Sequence, residues 1–254
     1  MADPSSEAVV IDLLLAAYRG GRKLTGTDME HAVADLAAAY RIQSAVTGAL
    51  GPVGAFKTGR KSVDETPIMA PILANRVRHS PARFLRSELD LVGIELELAF
   101  RVDSALPNPA AADFAERMRS CVSPLVAIEV VDTRLADHQS ADPLWKLSDN
   151  QINGGLVFGD AVDDWRGMDL SRITASLWVD DETIIDGAVS VPGGDAFDVF
   201  CAFARLVENH CGGLQPGHLV TTGSVSGMRF VEFGQSVHGR IEGLGAVSVD
   251  IADA

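Results

Sequence analysis

The stretch Leu91-Val-Gly-Ile-Glu-Leu-Glu-Leu-Ala-Phe-Arg-Val102 reads as a β-strand with two carboxylates on one face. Side chains alternate along a strand, so Val92, Ile94, Leu96, Leu98 and Phe100 share one side. Gly93, Glu95, Glu97 and Ala99 share the other. A solvated strand face usually mixes Lys, Thr, Ser and Arg with its acids. Here two acids stand together, flanked by small residues. Like charges this close repel unless a cation lies between them. A divalent metal site and a solvent-facing strand fit this spacing about equally well.

A third carboxylate shifts that balance. Leu125-Val-Ala-Ile-Glu-Val-Val-Asp-Thr-Arg134 is another strand, with Leu125, Ala127, Glu129 and Val131 on one face. A glutamate inside so apolar a run is costly to bury unless it is paired or ligated. Glu95, Glu97 and Glu129 together offer three hard oxygen ligands, which suit Mg²⁺ or Mn²⁺. The alternative is an ion pair between Glu129 and an arginine such as Arg134. Zinc is disfavoured, because the six histidines show neither HxxxH nor HxH spacing and the three cysteines are scattered.

Composition narrows the rest. The chain has 254 residues, 47% of them hydrophobic, enough for a sizeable core. Its net charge of −14 argues against nucleic acid or an anionic membrane as the main partner. No apolar run approaches the roughly 20 residues that span a bilayer. The polar, acidic start Met1-Ala-Asp-Pro-Ser-Ser-Glu7 is no signal peptide. The odd set Cys121, Cys201 and Cys211 points to free thiols in a reducing compartment. A cytoplasmic protein is the expectation.

Working outward along the chain, residues 6–19 read as a helix stopped by Gly20-Gly21. A second helix is expected from Thr27, where Thr27 and Glu30 match a capping box, to about Val46. Val53-Gly-Ala-Phe-Lys-Thr58 reads as a strand, and the Pro- and Arg-rich segment to Ser87 as irregular. From Glu88 onward, strands are expected near 91–102, 125–132, 153–158, 173–180, 183–190, 218–222, 229–233 and 245–251. Asp180-Asp181 reads as a hairpin turn, and helices lie near 110–120 and 195–210. The expected fold is α+β: a mixed, mostly antiparallel β roll or barrel at 88–254, preceded by a helical N-terminal unit at 1–87.

Three further segments carry polar groups suited to chemistry. Lys57, one of only four lysines, sits in Gly54-Ala-Phe-Lys-Thr-Gly59. It reads either as a site residue or as a side chain reaching solvent at a strand end. Asp149-Asn-Gln-Ile-Asn-Gly-Gly155 is a polar turn. Thr221-Thr-Gly-Ser-Val-Ser-Gly227 presents N–H groups and hydroxyls suited to an oxyanion, but lacks the lysine of a phosphate loop. A Ser-His-Asp enzyme is not indicated, as G-x-S-x-G is absent.

These pieces occur in a familiar order. The chain resembles the 2-keto-4-pentenoate hydratase and 4-oxalocrotonate decarboxylase family of the fumarylacetoacetate hydrolase superfamily. The resemblance rests on Gly54–Gly59, Ile94–Phe100, Ala127–Arg134, Asp149-Asn150 with Gly154, Leu214–Ser224 and Gly243–Val249. It implies that Glu95, Glu97 and Glu129 hold Mg²⁺ or Mn²⁺ and that Lys57 is the active-site lysine. It implies that Asn150, Asn153, Thr222, Gly223 and Ser224 meet the substrate. The implied activity is a hydratase adding water to a 2-oxo-alkenoic acid such as 2-hydroxypenta-2,4-dienoate, through a metal-stabilised enolate in aromatic catabolism. Decarboxylation and acylpyruvate-type C–C hydrolysis share the same electron sink. The implied assembly is a homo-oligomer, with a complex with a related decarboxylase or hydratase as a further expectation. A non-catalytic subunit of such a complex is the alternative outside the enzyme class.

Three segments depart from the family. The usual acidic residue of a Pro-Asp-Tyr-Gly segment is replaced by Val63-Asp-Glu-Thr-Pro-Ile-Met-Ala70, where Asp64 or Glu65 could substitute. The serine-rich turn after Asp-Asn reads Gln151-Ile152-Asn153, and His218 stands where Asp usually follows Pro-Gly.

Overall fold

The computed structural model describes residues 4–253, so the outermost ends of the two expected units lie outside the described residues. Its helices are α1 (Pro4–Tyr18), α2 (Leu36–Leu50), α3 (Phe114–Met118), α4 (Pro143–Ser148) and α5 (Ala196–Leu206). Its strands are β1 (Val53–Gly59), β2 (Ile68–Leu73), β3 (Val77–His79), β4 (Ala82–Leu85), β5 (Gly93–Val102), β6 (Val122–Val131) and β7 (Asn153–Phe158). They continue as β8 (Arg172–Val179), β9 (Glu182–Ser190), β10 (Leu219–Ser224), β11 (Arg229–Phe230), β12 (Ser236–Ile241) and β13 (Gly245–Ala252).

Two sheets result. The larger runs β2-β1-β10-β5-β6-β7-β3, with β11 added beside β5; the smaller runs β4-β13-β12-β8-β9. Pairing is antiparallel except for β1 with β10, β3 with β7 and β4 with β13. This is the expected α+β architecture, a mixed and mostly antiparallel curled sheet with helices at its N-terminal side. The main core fills the space between the sheets and under α5, around Phe56, Phe100, Ile128, Phe200 and Val249. A second cluster joins α1, α2 and α4 through Val10, Leu14, Ile42, Val46 and Trp145.

The structure differs from the sequence reading in several places, among them α4, where no helix was expected. The capping box at Thr27 starts no α-helix. Asp28–Glu30 form a single 3₁₀ turn, and Thr27 makes no capping bond. Asp28 is instead held by Arg22, and α2 begins later, where the Asp35 carboxylate accepts from the Ala38 N–H. The segment expected to be irregular up to Ser87 contains β2, β3 and β4. All three are sheet edges, where a proline such as Pro71 removes no needed donor and short strands suffice. The two sheets therefore draw on both sides of the 87/88 division. Finally, β12 escaped notice because Gly239 interrupts its pattern. A Cβ there would lie 2.5 Å from Leu96 Cδ1, so glycine lets β12 approach the strand that carries the carboxylates.

Candidate metal centre

The alternation read in residues 91–102 is realised. β5 lies between β10 and β6, with Glu95 directly opposite Glu129 and Glu97 opposite Ala127. Most of β5 is buried, so this is not a solvated strand face. Glu129 is fully buried, Glu97 is 2% exposed and Glu95 is partly exposed. Carboxylate oxygens of the three glutamates lie within 4.8 Å of one another.

Lys57 reaches the cluster from β1, across β10. Its Nζ donates to Glu129 Oε1 at 2.5 Å and to the Gln151 carbonyl at 3.2 Å. Lys57 is therefore an internal cation and does not reach out to solvent. Asn153 Nδ2 adds a second bond to Glu129 Oε1 at 2.9 Å. On the other flank, the Gly223 N–H donates to Glu97 Oε2 at 2.7 Å. Gly223 sits at φ +112°, a conformation suited to glycine. Ser224 stands opposite Glu97 in the β10–β5 register.

The charges do not balance. Three carboxylates and one ammonium give −3 + 1 = −2. At an effective dielectric constant of about 20, two charges 4.8 Å apart repel by roughly 3 kcal/mol. Burial, then Glu129 and Glu95, push the Glu97 carboxyl well above its ordinary 4.5, against Lys57 and the Gly223 N–H. Burial and then Glu129 raise Glu95 likewise, opposed by Lys57 and Ser224. Burial pulls Lys57 down, but Glu129, Glu95 and Glu97 outweigh it, so its net displacement is upward. One atom is also unmet: Glu129 Oε2 is buried without a hydrogen-bond partner among the described residues. A deficit of two positive charges, an orphaned carboxylate oxygen and an all-oxygen donor set fit a divalent hard cation such as Mg²⁺ or Mn²⁺.

Not every expected residue joins the cluster. Asn153 and Gly223 bond it, and Ser224 lies beside it, paired with Glu97. Thr222 does not: its hydroxyl donates to the Leu98 carbonyl. Asn150 turns away to bond the Tyr18 hydroxyl at the end of α1. Asp64 and Glu65 lie in an exposed turn, where Glu65 accepts from the Lys61 N–H. Arg134 does not pair with Glu129; it holds Asp149 at 2.5 Å.

Two contributors were missed. Thr221 is fully buried and opposite Lys57, its hydroxyl unpartnered among the described residues. Strand alternation within Leu219–Ser224 was the available signal, since it groups Thr221 with Gly223 and away from Thr222. The Gln151 carbonyl had no signal at all. It belongs to a turn in which Asn150, Gln151 and Ile152 take φ +48°, +52° and +55° in succession. Asparagine tolerates that conformation, but a left-handed residue otherwise costs about 1–2 kcal/mol, and runs are rare. Such strain concentrates at functional sites. Behind the turn, Asn150, Asn153 and Arg134 line a cavity of about 450 Å³ that reaches Tyr18 and Lys23.

Residues 46–252 match the family model for the fumarylacetoacetate (FAA) hydrolase C-terminal domain. The chain belongs to that family. It is 25% identical over 248 residues to 2-keto-4-pentenoate hydratase 2 of Dechloromonas aromatica (strain RCB), covering 93% of this chain and 94% of that one. The fold resembles 4-oxalocrotonate decarboxylase from Pseudomonas putida G7, solved with magnesium and adipate. The TM-score is 0.80 at 18% identity, over 97% of both chains. It also resembles fumarylpyruvate hydrolase from Pseudomonas aeruginosa, solved with Mn²⁺ and pyruvate. There the TM-score is 0.57 at 19% identity, over 79% of this chain and 89% of that one.

Proposed function

We propose that the protein is a divalent-metal-dependent hydratase of a 2-oxo-alkenoic acid resembling 2-hydroxypenta-2,4-dienoate, acting in aromatic catabolism. The observation that carries this reading is the cluster itself: three convergent buried carboxylates, one orphaned oxygen and a net deficit of two positive charges. Glu95, Glu97 and Glu129 would hold Mg²⁺ or Mn²⁺. When bound, the cation supplies positive charge for the ketone and carboxylate oxygens of a 2-oxo acid. Lys57 holds its ammonium beside Glu129 by two of its three N–H groups. The third is available to a substrate oxygen on which negative charge develops. Asn153 orients Glu129, while the Gly223 N–H orients Glu97. Similarity to a hydratase along nearly the whole chain supports the choice of reaction. The same reading takes a cytoplasmic homo-oligomer as the working form.

A second reading, decarboxylation, is favoured by one observation. Asp64 and Glu65 sit in the exposed turn and make no bond to the cluster. Hydration needs a group to activate water as well as an electron sink, and neither acid is placed for that. Turnover of 2-hydroxypenta-2,4-dienoate, a 2-oxo-3-enedioate and an acylpyruvate, followed by ultraviolet absorbance with CO₂ analysis, separates the reactions. Loss of the dienoate without CO₂ supports the hydratase. Release of CO₂ from the enedioate selects the decarboxylase, and cleavage of the acylpyruvate selects the hydrolase. Metal uptake with no turnover of any of the three would leave the non-catalytic subunit.

A further inference from the structure

The left-handed turn at 150–152 reaches the metal centre twice, through the Gln151 carbonyl to Lys57 and through the Asn153 amide to Glu129. Backbone bonds hold part of it, from the Ile152 N–H to the Asp149 carbonyl and from the Asp132 N–H to the Ile152 carbonyl, and one side chain spans the turn from outside. Arg134 Nε donates to Asp149 Oδ1 at 2.5 Å, and its Nη2 to the Asp149 carbonyl at 3.1 Å. Its Nη1 donates to the Asn153 carbonyl at 3.0 Å. One guanidinium thus grips both ends of the turn. Asp149 is held in return by the Arg134 N–H at 3.0 Å and the Thr133 hydroxyl at 2.9 Å. The guanidinium lies 4.2 Å from the centroid of the Tyr18 ring, whose hydroxyl receives Asn150. A planar fork can make these bonds at once; a lysine ammonium cannot.

We propose that Arg134 is a positioning residue for the metal centre. It touches none of the candidate ligands, and acts by fixing the turn that presents the Gln151 carbonyl to Lys57 and the Asn153 amide to Glu129. This rests on reading Glu95, Glu97 and Glu129 as a divalent cation site. Groups that orient metal ligands from behind typically alter affinity by about 10–100-fold when removed. A purely structural Arg134 would lower the melting temperature and leave the affinity of the folded protein unchanged.

The test uses the full chain and Mn²⁺ alone. Binding is measured by electron paramagnetic resonance, and folding by circular dichroism. Arg134→Lys is expected to keep the secondary structure, weaken Mn²⁺ binding at least tenfold and change the line shape of bound Mn²⁺. Asn153→Ala should also weaken binding. The double variant should lose less than the product of the two single losses, because both act on Glu129 along one route. An unchanged dissociation constant in folded Arg134→Lys overturns the proposal, as do fully multiplicative losses. If Arg134→Lys does not fold, Thr133→Val removes one prop of Asp149 and leaves the arginine. It should weaken Mn²⁺ binding by a few fold, and an unchanged constant overturns the proposal equally. Wild-type protein that takes up no Mn²⁺ overturns both this inference and the reading beneath it, whereas wild-type binding with unaffected variants overturns this inference alone.

Discussion

Lys57–Glu129 and Arg134–Asp149 are both buried ion pairs with a closest contact of 2.5 Å, and they flank the same turn. Their surroundings differ. Both Asp149 carboxylate oxygens are bonded: Oδ1 takes Arg134 Nε, and Oδ2 takes Thr133 and the Arg134 N–H. The charges there cancel one to one. Glu129 has Lys57 and Asn153 on one oxygen and no partner on the other among the described residues. Two more carboxyls crowd beside it. Burial is costly for both pairs, and only one has been brought to balance by the chain itself. The balanced pair holds a shape, and in the function proposed above the unbalanced one receives a cation.

The largest effect should come from unbalancing the satisfied pair. Asp149→Ala leaves the Arg134 guanidinium buried without its counter-charge, which costs about 3–5 kcal/mol. Urea titration followed by tryptophan fluorescence measures it. A loss below about 1 kcal/mol would show that the turn does not depend on this pair, and the contrast would fail.

Next is the opposite manipulation, easing the unsatisfied pair. Glu97→Gln removes one of three crowded charges at nearly constant volume. Mn²⁺ affinity should fall at least 100-fold, about 2.8 kcal/mol at 1.4 kcal/mol per decade. The metal-free variant should nevertheless be as stable as the wild type or more so, since a strained, charge-rich site trades stability for function. Calorimetric titration and thermal melts on the same samples test both halves. Undiminished Mn²⁺ or Mg²⁺ affinity would remove Glu97 from the ligand set.

Acidity gives a third handle. In metal-free protein the Glu97 and Glu95 carboxyls are displaced upward from 4.5. Their contribution to stability is therefore full below the unfolded value near 4.5 and lost as pH rises through the folded values. Cation binding requires the ionised carboxylates and so releases protons. The gain in melting temperature on adding Mn²⁺ should be nearly absent at pH 4.5 and grow with pH. Affinity should improve by up to about tenfold per pH unit for each proton released. A metal-induced gain independent of pH between 5 and 8 would argue that the three glutamates are not the ligands.

What the sequence disclosed follows the same division. The carboxylates were legible because strand alternation is a local rule, and Glu95, Glu97 and Glu129 each stand against an apolar background that makes them conspicuous. Lys57 was visible as a rarity, although its role rested on the family resemblance. The elements that were hidden depend on distant partners. β2, β3 and β4 are short edge strands, and only the sheet they join defines them. The glycine in β12 faces Leu96, 143 residues earlier, whose terminal methyl would have to move for any side chain there. The turn at 150–152 contradicts its own local preferences, since neither Gln151 nor Ile152 favours a left-handed backbone. Tertiary bonds impose it, and no window of sequence around it contains Arg134.

The contrast recurs in two adjacent hydroxyls, and there the expected effects are smallest. Thr222 donates to the Leu98 carbonyl at 2.8 Å, whereas Thr221 is buried with its hydroxyl unpartnered among the described residues. Valine matches threonine in shape, so each substitution tests little beyond the hydroxyl. Thr222→Val breaks a made bond and should cost about 1 kcal/mol, with Mn²⁺ affinity unchanged. Thr221→Val removes an unmade one and should stabilise the metal-free protein by up to about 1 kcal/mol, because burying an unbonded hydroxyl is itself a cost. A fold-holding residue and a site-facing residue would then differ in the sign of the effect, one position apart on the same strand. If both variants lose stability equally, the Thr221 hydroxyl has a structural partner after all, and the face that carries Lys57 is less open to a ligand than its unmatched groups imply.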